Sequence, residues 1–206
     1  MSDGGYFISF EGIDRSGKST QASVLAETLG ERALLIREPG GTHFSERARG
    51  ILKDPELPLS PRAEALLFAA ARADLVASVI KPALDEGRIV IADRYIDSSL
   101  AYQGVARGLG VEEVRTINRW AADGLMPNMT FLIEVDEQTA MERGAEEHDR
   151  FEDEGADLQR KVAEAYDQLA TADPDRIVRI NGARYPDEVA RDVQIVAFDR
   201  LGITLV

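Results

Sequence analysis

Gly12-Ile13-Asp14-Arg15-Ser16-Gly17-Lys18-Ser19, directly behind the apolar run Tyr6-Phe7-Ile8-Ser9-Phe10, decides the reading of this 206-residue chain. It matches the phosphate-cradling pattern G-x-x-x-x-G-K-[ST]. Gly12 and Gly17 permit a tight turn that points successive N–H groups inward, and Lys18 with the start of the next helix supplies positive charge. Ser19 is then the expected magnesium hydroxyl. An ordinary glycine-rich turn is the competing reading, but the strand before it and the helical Gln21-Ala22-Ser23-Val24-Leu25-Ala26 after it favour the phosphate loop. A nucleoside triphosphate is the first ligand to consider.

Outward from this loop, hydrophobic periodicity predicts strands at 6–11, 32–37, 88–92, 130–135 and 176–180. It predicts helices at 18–29, 45–53, 62–85, 97–106, 111–123, 157–172 and 185–200, with Pro82 near the end of the long one. Strands that are nearly continuous apolar runs, alternating with helices, indicate a parallel sheet covered on both faces. The fold class expected is therefore α/β, a P-loop NTPase three-layer α/β/α domain with a central parallel sheet, one domain over 1–206. The charged stretch from Glu142 to Gly155 carries two glycines and interrupts the period, which suits a short lid over a phosphate site or a solvated loop.

Composition narrows the chemistry. With 44% hydrophobic residues the chain can bury a full core. No run approaches the eighteen or so apolar residues of a membrane helix, and Met1-Ser2-Asp3-Gly4-Gly5 lacks a basic then apolar leader, so a soluble, cytoplasmic protein is expected. Zero cysteines exclude disulfides, thiolate catalysis and Cys-ligated zinc, leaving His43 and His148 as the imidazoles. Net charge is -13, from 37 acidic and 24 basic residues, which argues against broad nucleic-acid binding. Lysines occur only at 18, 53, 81 and 161, so arginine supplies the other basic residues. An acidic, lysine-poor surface fits adaptation to high salt; a GC-rich genome explains the arginine but less directly the acidity.

Asp93 closes the apolar strand Ile89-Val90-Ile91-Ala92, where a P-loop protein needs a carboxylate to orient magnesium; capping the next helix is the alternative. Arg94 beside it, at the carboxyl edge of a parallel sheet, is placed to grip phosphate bidentately.

Taken together, these segments resemble the thymidylate kinase family. Phe10-Glu11-Gly12-Ile13-Asp14-Arg15-Ser16-Gly17-Lys18-Ser19-Thr20 is similar to its P-loop, and Arg37-Glu38-Pro39-Gly40-Gly41-Thr42 to its second motif. Asp93 through Gln103 resembles its signature segment, Phe68-Ala69-Ala70-Ala71-Arg72 its thymine-facing helix, and Asp149-Arg150-Phe151-Glu152 its lid. The motifs run in family order from about residue 7 to 200.

The resemblance implies ATP-dependent transfer of the γ-phosphoryl to dTMP, with Mg2+ and a homodimer whose interface includes helix 62–85. It places ATP on Gly12, Ile13, Asp14, Arg15, Ser16, Gly17, Lys18, Ser19 and Thr20, and magnesium on Ser19 and Asp93. It gives catalytic roles to Arg15, Lys18, Arg94 and Arg150. The acceptor phosphate falls to Arg37, Arg49 and Arg94; thymine to Phe68 and Arg72; base and sugar to Ser99 and Gln103. Tyr102 is expected to disfavour ribose, Asp14 to accept the 3′-hydroxyl, and Glu38 to meet a phosphate-bound water or magnesium. In isolation, Phe68 reads more often as core than as ligand. Arg15 departs from the many bacterial members that have a small residue there and arginines in the lid, which implies that the γ-phosphate arginine sits in the P-loop. The stretch Asn181-Gly182-Ala183-Arg184 is expected to frame the adenine. Other nucleotide or nucleoside kinases of this fold, acting on dUMP, dCMP or thymidine, are the nearest alternatives, and a regulatory NTPase switch a more distant one.

Overall fold

The computed structural model describes residues 5–144 and 155–202. Five strands form one sheet: β1 (Tyr6–Glu11), β2 (Ala33–Arg37), β3 (Ile89–Asp93), β4 (Met129–Glu134) and β5 (Ile177–Asn181). Their spatial order is β2-β3-β1-β4-β5, and each neighbouring pair is parallel. Helices cover both faces, as nearly continuous apolar strands require.

Residue alternation along each strand divides the core. Ile8, Phe10, Ile89, Ile91, Phe131 and Ile133 point to one face, where they pack on α1 (Lys18–Leu29) and α9 (Pro186–Leu201). Phe7, Val90, Ala92 and Leu132 point to the other. That second layer holds α3 (Pro61–Leu75), α5 (Ile96–Ser99), α6 (Val111–Ala121) and α8 (Gly155–Ala172), with α2 (His43–Lys53) against α3. Burial of each large apolar side chain contributes about 1.5–3 kcal/mol.

Several boundaries differ from the sequence expectation for identifiable reasons. α2 starts at His43, because the Thr42 hydroxyl accepts from the Ser45 N–H at 3.0 Å and caps the turn. The long helix expected over 62–85 is continuous but changes pitch: α3 passes into a π-helical turn, Val76–Ile80, and then α4 (Lys81–Asp85), with Pro82 in its first turn. Helix 97–106 likewise divides into α5 and a π-helical stretch, Leu100–Ala106. A six-residue helix, α7 (Glu137–Glu142), was not expected; Asp136 caps it by accepting from the Thr139 N–H at 2.8 Å. Most of the expected lid, including Arg150, lies outside the described residues.

Two features of the sheet place the chemistry. β1 is central, so the loop after it emerges between neighbours on both sides. In the β1–β3 register Phe10 lies opposite Asp93, and in the β2–β3 register Arg37 does too. Three strand ends thus meet at one carboxyl edge, where open α/β sheets bind ligands.

Candidate active site

The P-loop turns as its glycines suggest. Gly12 has φ 146°, and a Cβ there would lie 2.5 Å from the Ile133 carbonyl oxygen. Gly17, at φ 95°, begins α1. Arg15 takes the left-handed conformation as well, at φ 64°, which costs a non-glycine residue about 1 kcal/mol or more. Lys18 is buried; its ammonium donates to the Ile13 carbonyl at 3.5 Å and lies 3.7 Å from Asp14 Oδ1. Burial and the neighbouring Arg94 charge pull its pKa below the ordinary lysine value, against the pull of Asp14, Asp93 and Glu11.

The residues expected to hold magnesium are brought together. Ser19 Oγ donates to Asp93 Oδ2 at 2.6 Å across 74 residues of sequence, and Asp93 Oδ1 is buried without a hydrogen-bond partner. Hard oxygen donors, one of them uncommitted, fit a divalent cation that takes its remaining ligands from phosphate and water. No cluster of three His, Cys, Asp or Glu occurs among the described residues.

A cavity of about 400 Å³ opens beside this pair. Its wall contains Asp14, Lys18 and Ser19 from the P-loop side, and Arg37, Glu38 and Arg49 from β2, the following turn and α2. Phe68 and Arg72 enter from α3; Asp93, Arg94, Ser99, Tyr102 and Gln103 come from the end of β3 and the helical segment behind it. All ten residues expected to bind the acceptor therefore line one space. Pro39, Leu52, Lys53, Tyr95 and Ser98 line it too and were not expected.

Within the cavity Arg94 is fixed from several sides. It has φ 72°, and its guanidinium donates to Gly12 O (3.1 Å), Ser98 Oγ (3.1 Å), Tyr166 OH (3.3 Å) and Asp14 Oδ1 (2.5 Å). It also stacks over the Tyr102 ring, 5.2 Å from the centroid. Asp14 receives Gln159 Nε2 at 2.9 Å and Tyr102 OH at 3.3 Å. Burial alone would raise the Asp14 pKa, but Arg94 and Lys18 outweigh it and hold the carboxyl well below the usual range.

Arg72, expected at the thymine carbonyl edge, lines the cavity and is held by neighbours of its own. A guanidinium has five N–H groups, and here Nε donates to Glu38 Oε2 (2.8 Å) and Nη2 to the same oxygen (2.5 Å) and to Tyr95 O (3.1 Å). Nη1 donates to Ser99 Oγ (3.1 Å) and Asn118 Oδ1. Arg72 thus gives the cavity wall shape and charge while bracing Glu38. Burial raises the Glu38 pKa against that arginine, and Glu38 Oε1 is buried without a partner. Gln103 donates to buried Glu64 at 2.9 Å. Arg37 is half-exposed and ion-paired with Glu46 at 3.3 Å, and Arg49 donates to Pro39 O at 3.1 Å.

A second, smaller cleft of about 250 Å³ lies across the P-loop, lined by Ser16, Gly17, Thr20 and Gln21 with Gly182 and Arg184 after β5. Arg143 closes one side, donating to the carbonyls of Arg15 (3.1 Å), Ser16 (2.9 Å) and Gly182 (2.6 Å). Arg143 falls inside the Glu142 to Gly155 stretch expected as the lid, and these contacts were not foreseen. Gln159 and Tyr166 were not foreseen either. These are seven residues apart on α8, two helical turns, so they share a face, but nothing in their spacing names Asp14 and Arg94 as partners.

A phosphate loop on the central strand, a hydroxyl–carboxylate pair behind it and a cationic cavity beside it define a P-loop phosphotransferase. The thymidylate kinase family model matches residues 10–193. A thymidylate kinase of Thermoanaerobacter sp. (strain X514) is 46% identical over 193 residues, covering 92% of this chain and 95% of the relative. One of Halothermothrix orenii is 42% identical, covering 92% and 94%. The crystal structure of thymidylate kinase from Ehrlichia chaffeensis superposes with a TM-score of 0.75 at 35% identity, over 94% of this chain and 98% of that one. The chain belongs to the thymidylate kinase family.

Proposed function

We propose that this chain transfers the γ-phosphoryl group of ATP to dTMP, giving ADP and dTDP. The observation that carries the reading is the single cavity in whose wall Lys18, Ser19 and Asp93 are joined by Arg37, Arg49 and Arg94 and by Phe68. Such an arrangement holds a donor phosphate, an acceptor phosphate and a planar base in line.

Phosphoryl transfer is catalysed by positioning and charge neutralisation. Lys18, the P-loop amides and Arg15 neutralise the transferring group. Arg37, Arg49 and Arg94 hold the acceptor phosphate. No general base is needed, because the second pKa of a phosphate monoester is about 6 and the attacking oxygen is already ionised near neutral pH. Ser19 and Asp93 hold magnesium, which when bound supplies charge neutralisation at the phosphates. Phe68 stacks on the base, Tyr102 crowds the 2′ carbon, and Asp14 faces the 3′-hydroxyl. The smaller cleft beside Gly182 and Arg184 takes the adenine, largely through backbone.

Three arginines favour a monophosphate over an uncharged nucleoside. The test is ADP release with MgATP and each of dTMP, dUMP, dCMP and thymidine, at low and molar KCl. Strong dependence on dTMP is expected, and release indifferent to every acceptor contradicts the reading. The same salt series tests the high-salt expectation.

The chain is further proposed to work as a homodimer. Phe44 and Ile51 on α2, Leu66 on α3 and Trp120 on α6 are exposed apolar side chains on three helices packed side by side. Light scattering of the purified protein checks the mass, and a monomer at micromolar concentration contradicts it.

A further inference from the structure

Glu11, the last residue of β1, is fully buried and has no part in the chemistry above. A buried carboxylate needs partners, and the ones it has all belong to, or touch, Arg94. Glu11 Oε1 accepts from the Tyr95 N–H at 2.7 Å, next to the Arg94 N–H that donates to Phe10 O at 3.0 Å. Adjacent residues of β1 therefore pin two successive amides of a turn in which Arg94 has φ 72°. Glu11 Oε2 accepts from Ser98 Oγ at 2.5 Å and Tyr166 OH at 2.8 Å. Those same two oxygens receive Arg94 Nη1, at 3.1 and 3.3 Å.

The geometry points to Glu11 as the residue that positions Arg94 for the acceptor phosphate, through the backbone of the turn and through the paired hydroxyls of Ser98 and Tyr166. This inference rests on the acceptor-phosphate reading of Arg94. Proton counting gives it direction. Ser98 Oγ and Tyr166 OH lie 2.8 Å apart and have one proton each. When Glu11 is ionised, both hydroxyls donate to it and turn their lone pairs to Arg94. When Glu11 is protonated, the hydroxyl that accepts its proton no longer donates to it, and the negative charge that turns both hydroxyl protons away from Arg94 is lost.

The groups facing Glu11 are Asp97 from α5, itself paired with Arg176, Arg94 from the turn, Tyr166 from α8 and Lys18 from α1. Burial and the Asp97 charge push the carboxyl up to about 7, against Ser98, Arg94 and Tyr166.

The test is Glu11→Gln in the full chain, with kcat and KM for dTMP and ATP measured beside wild type from about pH 6 to about pH 9. At the alkaline end KM for dTMP should rise about tenfold, the size expected for losing a hydrogen bond to a charged group, with KM for ATP within about twofold. Wild type is expected to show a limb at about 7, which should vanish in the variant, leaving the substrate phosphate limb at about 6. A variant with wild-type dTMP KM and the wild-type limb overturns the inference. Should Glu11→Gln not fold, Tyr166→Phe keeps the carboxylate and removes one hydroxyl; it should raise KM for dTMP about threefold, and no rise overturns the inference equally. Wild-type turnover without dTMP dependence instead removes the Arg94 reading, and the inference with it.

Discussion

The two spaces on either side of the P-loop are built from different materials. The acceptor cavity is walled by side chains locked to one another: Arg72 to Glu38, Arg94 to Asp14, Gln103 to Glu64. The smaller cleft has two glycines, Gly17 and Gly182, in its lining, and its Arg143 is held on three backbone carbonyls. A side-chain wall reads the shape and charge of its ligand. A wall with fewer interlocked side chains distinguishes less sharply between one base and another. The acceptor should accordingly be chosen strictly and the donor base loosely.

The largest effect belongs to Arg15 in the P-loop. Arg15→Ala should lower kcat by roughly three orders of magnitude if it neutralises the transferring phosphoryl as an arginine finger does. Near-normal turnover in a rapid-quench assay would move that charge to the lid. Next, Arg72→Ala leaves Glu38 a buried, unpaired carboxylate and should cost about 3–5 kcal/mol in urea unfolding, where a surface arginine costs under about 1. An indifferent urea midpoint would mean that the wall is not braced as described. Phe68→Ala should raise KM for dTMP by about ten- to a hundredfold through lost apolar contact, with kcat changed far less. An equal fall in kcat would place Phe68 in alignment of the reacting groups. The smallest effect is on the donor side: exchanging ATP for GTP should change kcat/KM by less than about tenfold, against more than about a hundredfold for exchanging dTMP for dCMP. Equal discrimination at both ends would erase the contrast.

Glu11 adds a pH signature to the acceptor side. Its folded-state pKa is raised, so the stability it contributes is fully present below its ordinary value of 4.5 and is lost as pH rises through about 7. Thermal unfolding of wild type should therefore shift downward across that window, and Glu11→Gln should flatten the shift.

The contrast also explains what could be read from the chain. The P-loop and the Asp93-Arg94 pair were legible because each sits in a contiguous motif at a strand end, whereas Phe68 came only through the family resemblance, its own surroundings reading as core. The fold followed from apolar runs alternating with helical periods. Gln159, Tyr166 and Asn118 were not legible, since their meaning arises from partners 46 to 155 residues away. α7 escaped because six residues hold too little periodicity to register, although Asp136 and Thr139 form its cap. Arg143 was visible as a charge, but its acceptors are carbonyls, which every residue has. The placement of Arg72 against Glu38 could not be seen either, because the Arg37-Glu38-Pro39 turn meets α3 only in three dimensions.

Calorimetric titration of dTMP and of thymidine into the protein without any triphosphate tests the central claim most directly. A preassembled, arginine-lined cavity predicts saturable binding of one dTMP per chain, with thymidine weaker by about a hundredfold for want of charge-assisted hydrogen bonds to phosphate. Equal affinity for the two, or no dTMP binding until ATP is present, would contradict it.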